Sequence, residues 1–243
     1  MSAALIGNLP QGKVLVMDGM VASTAQITSH QDCKLKDKIY KGLTLPGYYS
    51  LVGDETILFG IQWLDNWCQQ NGVEFDFTGL NSLERALEAA GKIRQVFKST
   101  GALKDDRLYP ELSYVYMISA QTAINYNILR QHDKYHIQRR NHIRDNEIIL
   151  NYGGDIHPVK TSIFQNVAPV DCMDVAANFI TQYHAENVAR SRPHLQYEFN
   201  NRFCGVLIRK EGNDLVKLPF RSFDEYIITL SGGGWDMLDS PPF

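Results

Sequence analysis

Three stretches of the chain repeat apolar residues every three or four positions, which is the spacing of an α-helix. The first covers residues 54–71 and is followed by Gly72, a common helix stop. The second begins at Asn81, which we expect to cap the helix with Glu84 in the capping-box position. The third covers residues 171–188. The pattern therefore predicts two consecutive helices and one later helix.

Short runs rich in β-branched and aromatic residues lie on both sides of the first two helices, and they predict strands. The predicted strands cover residues 3–6, 14–17, 48–52, 113–119, 123–129, 147–152, 203–208 and 215–218, with a weaker signal at 25–28. Residues 224–230 predict a last strand or helix. Strands before and after a helical pair indicate an α+β fold with two sheets between helix layers. The connections are short, so we expect a single domain over residues 1–243 with a loose tail at 232–243.

Composition limits the class of protein. The 243 residues are 44% hydrophobic and 21% charged, which is ordinary for a soluble globular protein. The net charge of −3 creates no field that favours nucleic acid or an anionic membrane. The four cysteines form no CxxC pair and are typical of reduced thiols. No apolar run approaches the ~20 residues of a membrane span, so we expect a cytoplasmic protein without a membrane partner.

The first eighteen residues carry the candidate chemistry. Ser2 follows the initiator Met, and removal of Met1 would leave a serine with a free α-amine. Pro10 and Gly12 separate two apolar runs, so this stretch predicts a hairpin that brings Ser2 back toward Asp18. A hydroxyl beside its own amine and near a carboxylate is a known catalytic arrangement. An ordinary hairpin with an unrelated Ser and Asp is the alternative.

Four stretches in this order resemble the N-terminal-nucleophile hydrolases of the proteasome β-subunit and bacterial HslV type. They are the hairpin from Ser2 to Asp18, the Lys38-Ile39-Tyr40 segment, the strand Tyr49–Val52 with Gly53-Asp54 before a helix, and the late hairpin Cys204–Gly212 with its Arg-Lys-Glu-Gly turn. The resemblance implies a four-layer α/β/β/α sandwich of two antiparallel sheets. It also implies a threonine or serine peptidase that acts without a cofactor or metal.

The resemblance assigns roles to individual residues. Ser2 would be the nucleophile and, through its α-amine, the base, while Asp18 would orient a lysine. That lysine is Lys38 by its local pattern, or Lys34 by counting from Ser2 without gaps. The backbone N–H near Ser50 would stabilise the oxyanion. An ammonium beside the amine lowers the pKa of the amine and of the hydroxyl, because it repels the added proton and stabilises the alkoxide.

The implied substrate is a peptide or an unfolded protein, and the implied assembly is a homo-oligomeric ring or spiral with an ATP-dependent unfoldase as a partner. Two supporting features of active members are absent from this chain. Tyr152-Gly153-Gly154-Asp155 stands where they have a Gly-Ser-Gly turn, and Gln196–Asn201 lacks their Asp and Ser-Gly pattern. A non-catalytic subunit of the same fold, acting as a scaffold or in assembly, is therefore an open alternative.

The stretch from Arg130 to Arg144 is polar and basic, with histidines at 132, 136 and 142. It has no apolar face for a helix, so we expect an exposed loop or hairpin rather than a zinc site. Basic residues interleaved with Tyr135 are also found in nucleic-acid-binding proteins. Asp133 and Asp145 dilute the charge, so nucleic acid is not the expected partner.

Overall fold

The computed structural model describes residues 3–22, 33–35, 38–76, 79–103, 111–191, 202–210 and 214–221. Backbone contacts divide the chain into two compact units. The terminal unit contains the residues up to Lys38 and those from Asn146 onward, and the central unit is Ile39–Asp145. The single-domain assignment stays a prediction.

The terminal unit is built on a six-stranded antiparallel sheet with the order β11-β10-β1-β2-β12-β13. Its strands are β1 (Ala3–Leu9), β2 (Gly12–Asp18), β10 (Glu147–Tyr152), β11 (Asp155–Pro158), β12 (Arg202–Arg209) and β13 (Leu215–Arg221). Two short strands, β3 (Met20–Ala22) and β4 (Cys33–Leu35), pair with each other. The long helix of this unit is α3 (Cys172–Ser191), which follows two short 3-10 turns, Thr161–Phe164 and Pro169–Asp171.

The β1–β2 hairpin lies in the middle of this sheet, and every residue of both strands is buried. Side chains of one face pack with the buried face of α3, including Leu5, Val16 and Ala176. Gly12 begins β2 at φ +147°, and a Cβ there would lie 2.3 Å from the carbonyl oxygen of Ile208. The close approach of β2 to β12 therefore requires glycine at this position.

The central unit is a five-stranded antiparallel sheet with the order β5-β6-β7-β8-β9, together with two helices. Its elements are β5 (Ile39–Lys41), β6 (Tyr48–Val52), α1 (Glu55–Asn71), α2 (Leu80–Ser99), β7 (Leu112–Ile118), β8 (Ala123–Gln131) and β9 (Lys134–His142). Apolar residues of α1, α2 and the sheet form one core, with Ile61, Leu83 and Tyr126 fully buried. Each unit thus places helices against an antiparallel sheet, which confirms the α+β class.

The two helices of the central unit cross at small residues. A Cβ at Gly60 would lie 2.2 Å from the carbonyl oxygen of Ala86 and 2.9 Å from the Cβ of Ala90. The sequence prediction for α1 is confirmed at both ends, because the Asp54 side chain caps it and Gly72 ends it in the left-handed conformation. The predicted Asn81 cap is wrong. Helix α2 begins at Leu80 after Gly79, with no side-chain cap, so Asn81 already lies inside the helix.

The predicted strands at 48–52, 113–119, 123–129, 147–152 and 203–208 are confirmed to within a few residues. The basic stretch after Arg130 contains a hairpin strand, β9, so of the two expected alternatives the structure has the hairpin and not the loop. Its partner β8 is mostly buried, and hydrogen bonding to β8 makes β9 a strand although the polar sequence of β9 does not predict one. The signals at 25–28 and 224–230 and the tail at 232–243 lie outside the described residues.

None of the helices in the described part of the chain has the length and apolarity needed to cross a bilayer.

Candidate functional site

The candidate site lies at the end of the β1–β2 hairpin where β1 begins and β2 finishes. Ala4 pairs with Met17, so Ala3 and Asp18 are the next residues along the two strands. The backbone N–H of Ala3 donates a hydrogen bond to Asp18 Oδ1 over 2.7 Å. Asp18 is 0% exposed. The hairpin predicted from sequence therefore places a buried carboxylate at the backbone nitrogen to which Ser2 is joined.

Lys38 contacts the second oxygen of the same carboxylate. Its Nζ lies 3.1 Å from Asp18 Oδ2, and the lysine is 7% exposed. Because one oxygen of Asp18 accepts from the backbone of Ala3 and the other accepts from Lys38, the carboxylate is fixed in orientation. The two contacts hold a lysine ammonium beside the start of β1. A buried ion pair needs good geometry and further hydrogen bonds to offset its desolvation, and the Ala3 contact supplies one.

Of the residues selected from the sequence, the structure brings Asp18 and Lys38 into contact with each other. Ser2 lies outside the described residues. Of Lys34 only the backbone is described, in β4 opposite Val21. Ser50 lies in the central unit, fully buried in β6, and pairs with Ile39 on one side and Tyr116 on the other.

A tyrosine–histidine pair lies next to the start of β1, and the sequence analysis missed it. Tyr152 ends β10 directly opposite Ala3. Its hydroxyl is 2.6 Å from Nδ1 of His184 on α3, and both side chains are buried. The rings of Tyr152 and Tyr183 also meet edge to face, with centroids 5.2 Å apart. These contacts tie α3 to the strand beside Ala3, and no sequence spacing indicates a pair 32 residues apart.

A second cluster of buried charge lies in the central unit around Asp54. Its Oδ2 accepts from Arg94 over 2.8 Å and from the Tyr135 hydroxyl over 2.7 Å, and Arg130 Nε lies 3.5 Å away. Its Oδ1 accepts from the backbone and hydroxyl of Thr56. Burial raises the pKa of Tyr135, with the charge of Asp54 adding to the shift. The sequence offered one indication of this cluster. Arg94 falls on the apolar stripe of α2, and an arginine that is buried with such a stripe needs a partner of opposite charge.

A third buried carboxylate, Asp65, organises the loop between β5 and β6. It accepts hydrogen bonds from the backbone N–H groups of Leu43, Thr44 and Leu45 over 2.7–3.1 Å, and from the Thr44 hydroxyl. Burial, and then the charge of Asp65, raises the pKa of Tyr49. Since this carboxylate is occupied by loop donors, its arrangement is that of a structural residue.

Within the described ranges, no three His, Cys, Asp or Glu side chains are grouped closely enough to hold a metal ion. The histidines of β9 therefore form no such group with their described neighbours. His136 and His142 are exposed, and partial desolvation, followed by the charge of Arg140, lowers the pKa of His142.

No protein-family model matches the chain, and no curated protein matches it. Among solved structures, a mutant of Anbu from Hyphomicrobium sp. strain MC1 is similar over 98% of this chain and 95% of its own, with 14% identity and a TM-score of 0.46. Anbu, described as an ancestral β-subunit, from Yersinia bercovieri is similar over 97% of this chain and 93% of its own, with 12% identity and a TM-score of 0.45.

Proposed function

We propose that the chain is an N-terminal-nucleophile peptidase in which Ser2, freed by removal of Met1, attacks peptide bonds. The observation that supports this proposal is the Asp18 carboxylate, which accepts from the Ala3 backbone on one oxygen and from Lys38 on the other. Ser2 is covalently joined to that Ala3 nitrogen, so chain connectivity keeps its hydroxyl and its α-amine within one residue of the ion pair. This is the set of groups that the chemistry needs.

The proposed reaction proceeds by acyl transfer. The Ser2 Oγ forms a bond to the carbonyl carbon of the substrate while its proton passes to the α-amine, which is partly neutral near pH 7. The tetrahedral intermediate collapses, the C–N bond breaks, and the leaving amine takes the proton. Water then hydrolyses the ester and restores Ser2. Lys38, held by Asp18, disfavours protonation of the amine through like-charge repulsion and stabilises the developing alkoxide.

Other parts of the proposal rest on the family resemblance alone. They are the backbone N–H of Ser50 as the oxyanion donor, a peptide or unfolded-protein substrate, a homo-oligomeric ring or spiral, an ATP-dependent unfoldase partner and a cytoplasmic location. No step of the acid–base chemistry above depends on them.

A non-catalytic subunit of the same fold is the second candidate, and the β10–β11 turn favours it. That turn consists of Gly153 and Gly154, and the Gly154 N–H is bound by Asn151 Oδ1. The turn contains no hydroxyl group that could assist a terminal amine. In this case the Asp18–Lys38 pair would only stabilise the hairpin end.

The mass of the intact protein and a serine-reactive covalent probe separate the two candidates. The peptidase requires loss of Met1 and labelling of Ser2. Ser2→Ala should abolish labelling, Ser162→Ala at an exposed serine should leave it unchanged, and Lys38→Met should slow it by about 100-fold or more. Full retention of Met1, or equal labelling of the wild type and Ser2→Ala, would contradict the peptidase function. The non-catalytic subunit would then be the remaining candidate.

A further inference from the structure

Asn151 lies one residue before the end of β10, and its carboxamide is buried. It pairs with Ala4 of β1 on one side and with Ile156 of β11 on the other, and 1% of the residue is exposed. Its Oδ1 accepts the backbone N–H of Gly154 over 3.2 Å. Because a backbone N–H needs an acceptor, this contact identifies the oxygen of the carboxamide and leaves Nδ2 as its donor end.

The Nδ2 of Asn151 has no hydrogen-bond acceptor among the residues that the structure describes. A turn that needs only an acceptor for the Gly154 N–H is served equally well by an aspartate. The carboxamide adds a donor that the turn does not use, and a buried donor without an acceptor is destabilising. The donor therefore points to an acceptor outside the described residues.

The register of the sheet determines which face this donor occupies. Partners in an antiparallel pair have their side chains on the same face, and successive residues along a strand alternate between the faces. Ala3 and its partner Tyr152 belong to the core that packs against α3. Ala4 and its partner Asn151 consequently lie on the opposite face of the sheet.

The same register relates Asn151 to the residue that precedes β1. The contact with Gly154 directs the carboxamide along β10 toward the β10–β11 turn, which is the end of β10 that lies beside the start of β1. One further residue of β1 would stand opposite Gly153, with its side chain on the face of Asn151. Ser2 is that residue. Diagonal neighbours of this kind have Cβ atoms about 7 Å apart or less, which an asparagine and a serine joined by one hydrogen bond span.

We propose that Asn151 Nδ2 donates a hydrogen bond to Ser2 Oγ and positions the serine hydroxyl for attack. This inference rests on the proposed function. With one lone pair of Oγ bound by the amide, the hydroxyl proton is directed to the α-amine. The same donor stabilises the negative charge that develops on Oγ as the proton leaves.

The first test measures how fast the serine-reactive probe labels the full chain as a function of pH. Asn151→Asp keeps an acceptor for Gly154 but replaces the donor with an anion, so labelling should slow by about 10-fold or more. The added charge should also raise the pKa of the α-amine and move the midpoint of the pH profile upward. Asn66→Asp adds the same charge at an exposed position of α1, and it should change neither the rate nor the midpoint.

Asn151→Ser is the second variant, chosen because it introduces no buried charge. A serine hydroxyl accepts from a turn N–H as the carboxamide does, although more weakly, and it is too short to reach Ser2. Labelling should again slow by about 10-fold or more, with the midpoint of the pH profile unchanged. Thermal unfolding followed by circular dichroism checks that each variant is folded.

The second test observes the hydrogen bond by nuclear magnetic resonance and needs no catalysis. The side-chain amide resonances of Asn151 are assigned in the isotopically labelled full chain by their loss in Asn151→Ser. Ser2→Ala should shift these resonances, because it removes the acceptor. Ser162→Ala at an exposed serine should leave them unchanged.

The two tests separate failure of this inference from failure of the peptidase function. A wild type labelled at Ser2, together with an Asn151→Asp variant of equal rate and midpoint, would overturn the inference and leave the peptidase. Asn151 amide resonances that do not move in Ser2→Ala would also overturn it. A wild type that is not labelled at Ser2 would overturn the peptidase function and, with it, the role of Asn151.

Discussion

Replacing Arg94 with methionine tests how the central unit tolerates its buried charge. Arg94 and Asp54 both have fully buried side chains, and their 2.8 Å contact joins α2 to the start of α1. Methionine keeps most of the length and apolar area of the arginine but removes the cation. After Arg94→Met, Asp54 retains the Thr56 and Tyr135 donors and the nearby Arg130.

The expected cost follows from this difference. Breaking a buried ion pair by removing one partner destabilises proteins by about 3–5 kcal/mol. Because Asp54 keeps its other donors, we expect Arg94→Met at the lower end, near ~3 kcal/mol. Asp54→Ala also removes the helix cap, typically worth about 1 kcal/mol, and takes the buried Asp54 carboxylate away from Arg94 and Arg130, although Arg94 Nε keeps Asp133 Oδ1 at 3.4 Å. We therefore expect about 4–6 kcal/mol, a large part of the 5–15 kcal/mol that stabilises a typical protein.

The assay is urea unfolding followed by circular dichroism, applied to both single variants and to the double variant. The double variant should lose clearly less than the sum of the two, since neither charge is then left alone. Lys98→Met is the control, because Lys98 contacts Asp133 at a half-exposed position and should cost less than about 1 kcal/mol. Additive losses, or an Arg94→Met cost as small as the control, would refute the reasoning.

Three further predictions concern backbone and titration. Gly53→Ala should lower the melting temperature markedly, because Gly53 has φ +125° and a Cβ would lie 2.3 Å from Ser113 Oγ. A melting temperature within about 1 °C of the wild type, roughly the scatter of thermal scans, would contradict this prediction. Asp65→Ala should increase proteolytic cleavage at loop 43–45, because three backbone N–H groups lose their acceptor, whereas Asp155→Ala at an exposed site should not. Burial and then Asp171 raise the pKa of Cys172 to about 11, so the folded protein holds this proton more tightly than the unfolded chain. The free energy of unfolding should therefore fall from pH 9.0 to about 11, and Cys172→Ala should flatten that fall in pH-dependent urea unfolding.

The sequence predicts the helices and strands whose formation depends on residues close together in the chain. The β1–β2 hairpin follows from two apolar runs with Pro10 and Gly12 between them, and α1 follows from its stripe with Asp54 before it and Gly72 after it. Both signals act over a few residues and need no knowledge of the rest of the chain. The approach of Asp18 to the start of β1 is a direct consequence of the hairpin, so half of the candidate site was predictable.

The sequence does not predict what depends on distant partners. Strand β9 is polar along most of its length, and its order comes from pairing with the buried strand β8. Helix α2 begins two residues earlier than the strongest local cap, Asn81, would set it, at Leu80 after Gly79. The Tyr152–His184 contact joins a strand to a helix 32 residues later, and neither residue stands out in its own segment.

The Asp54–Arg94 and Asp18–Lys38 ion pairs are both buried, but they differ in what they do for folding. Asp54 caps α1 and accepts hydrogen bonds from Thr56, Tyr135 and Arg94. Its charge therefore links α1 to α2 and to β9 within the central unit. Asp18 and Lys38 lie at a strand end, where apolar residues of similar volume would pack without any cost of desolvation, and such replacements are often neutral or stabilising. A buried pair at this position is therefore poorly explained by stability alone. Its contact with the Ala3 backbone places the charge beside the residue that would carry the terminal amine, where an ammonium has a chemical use.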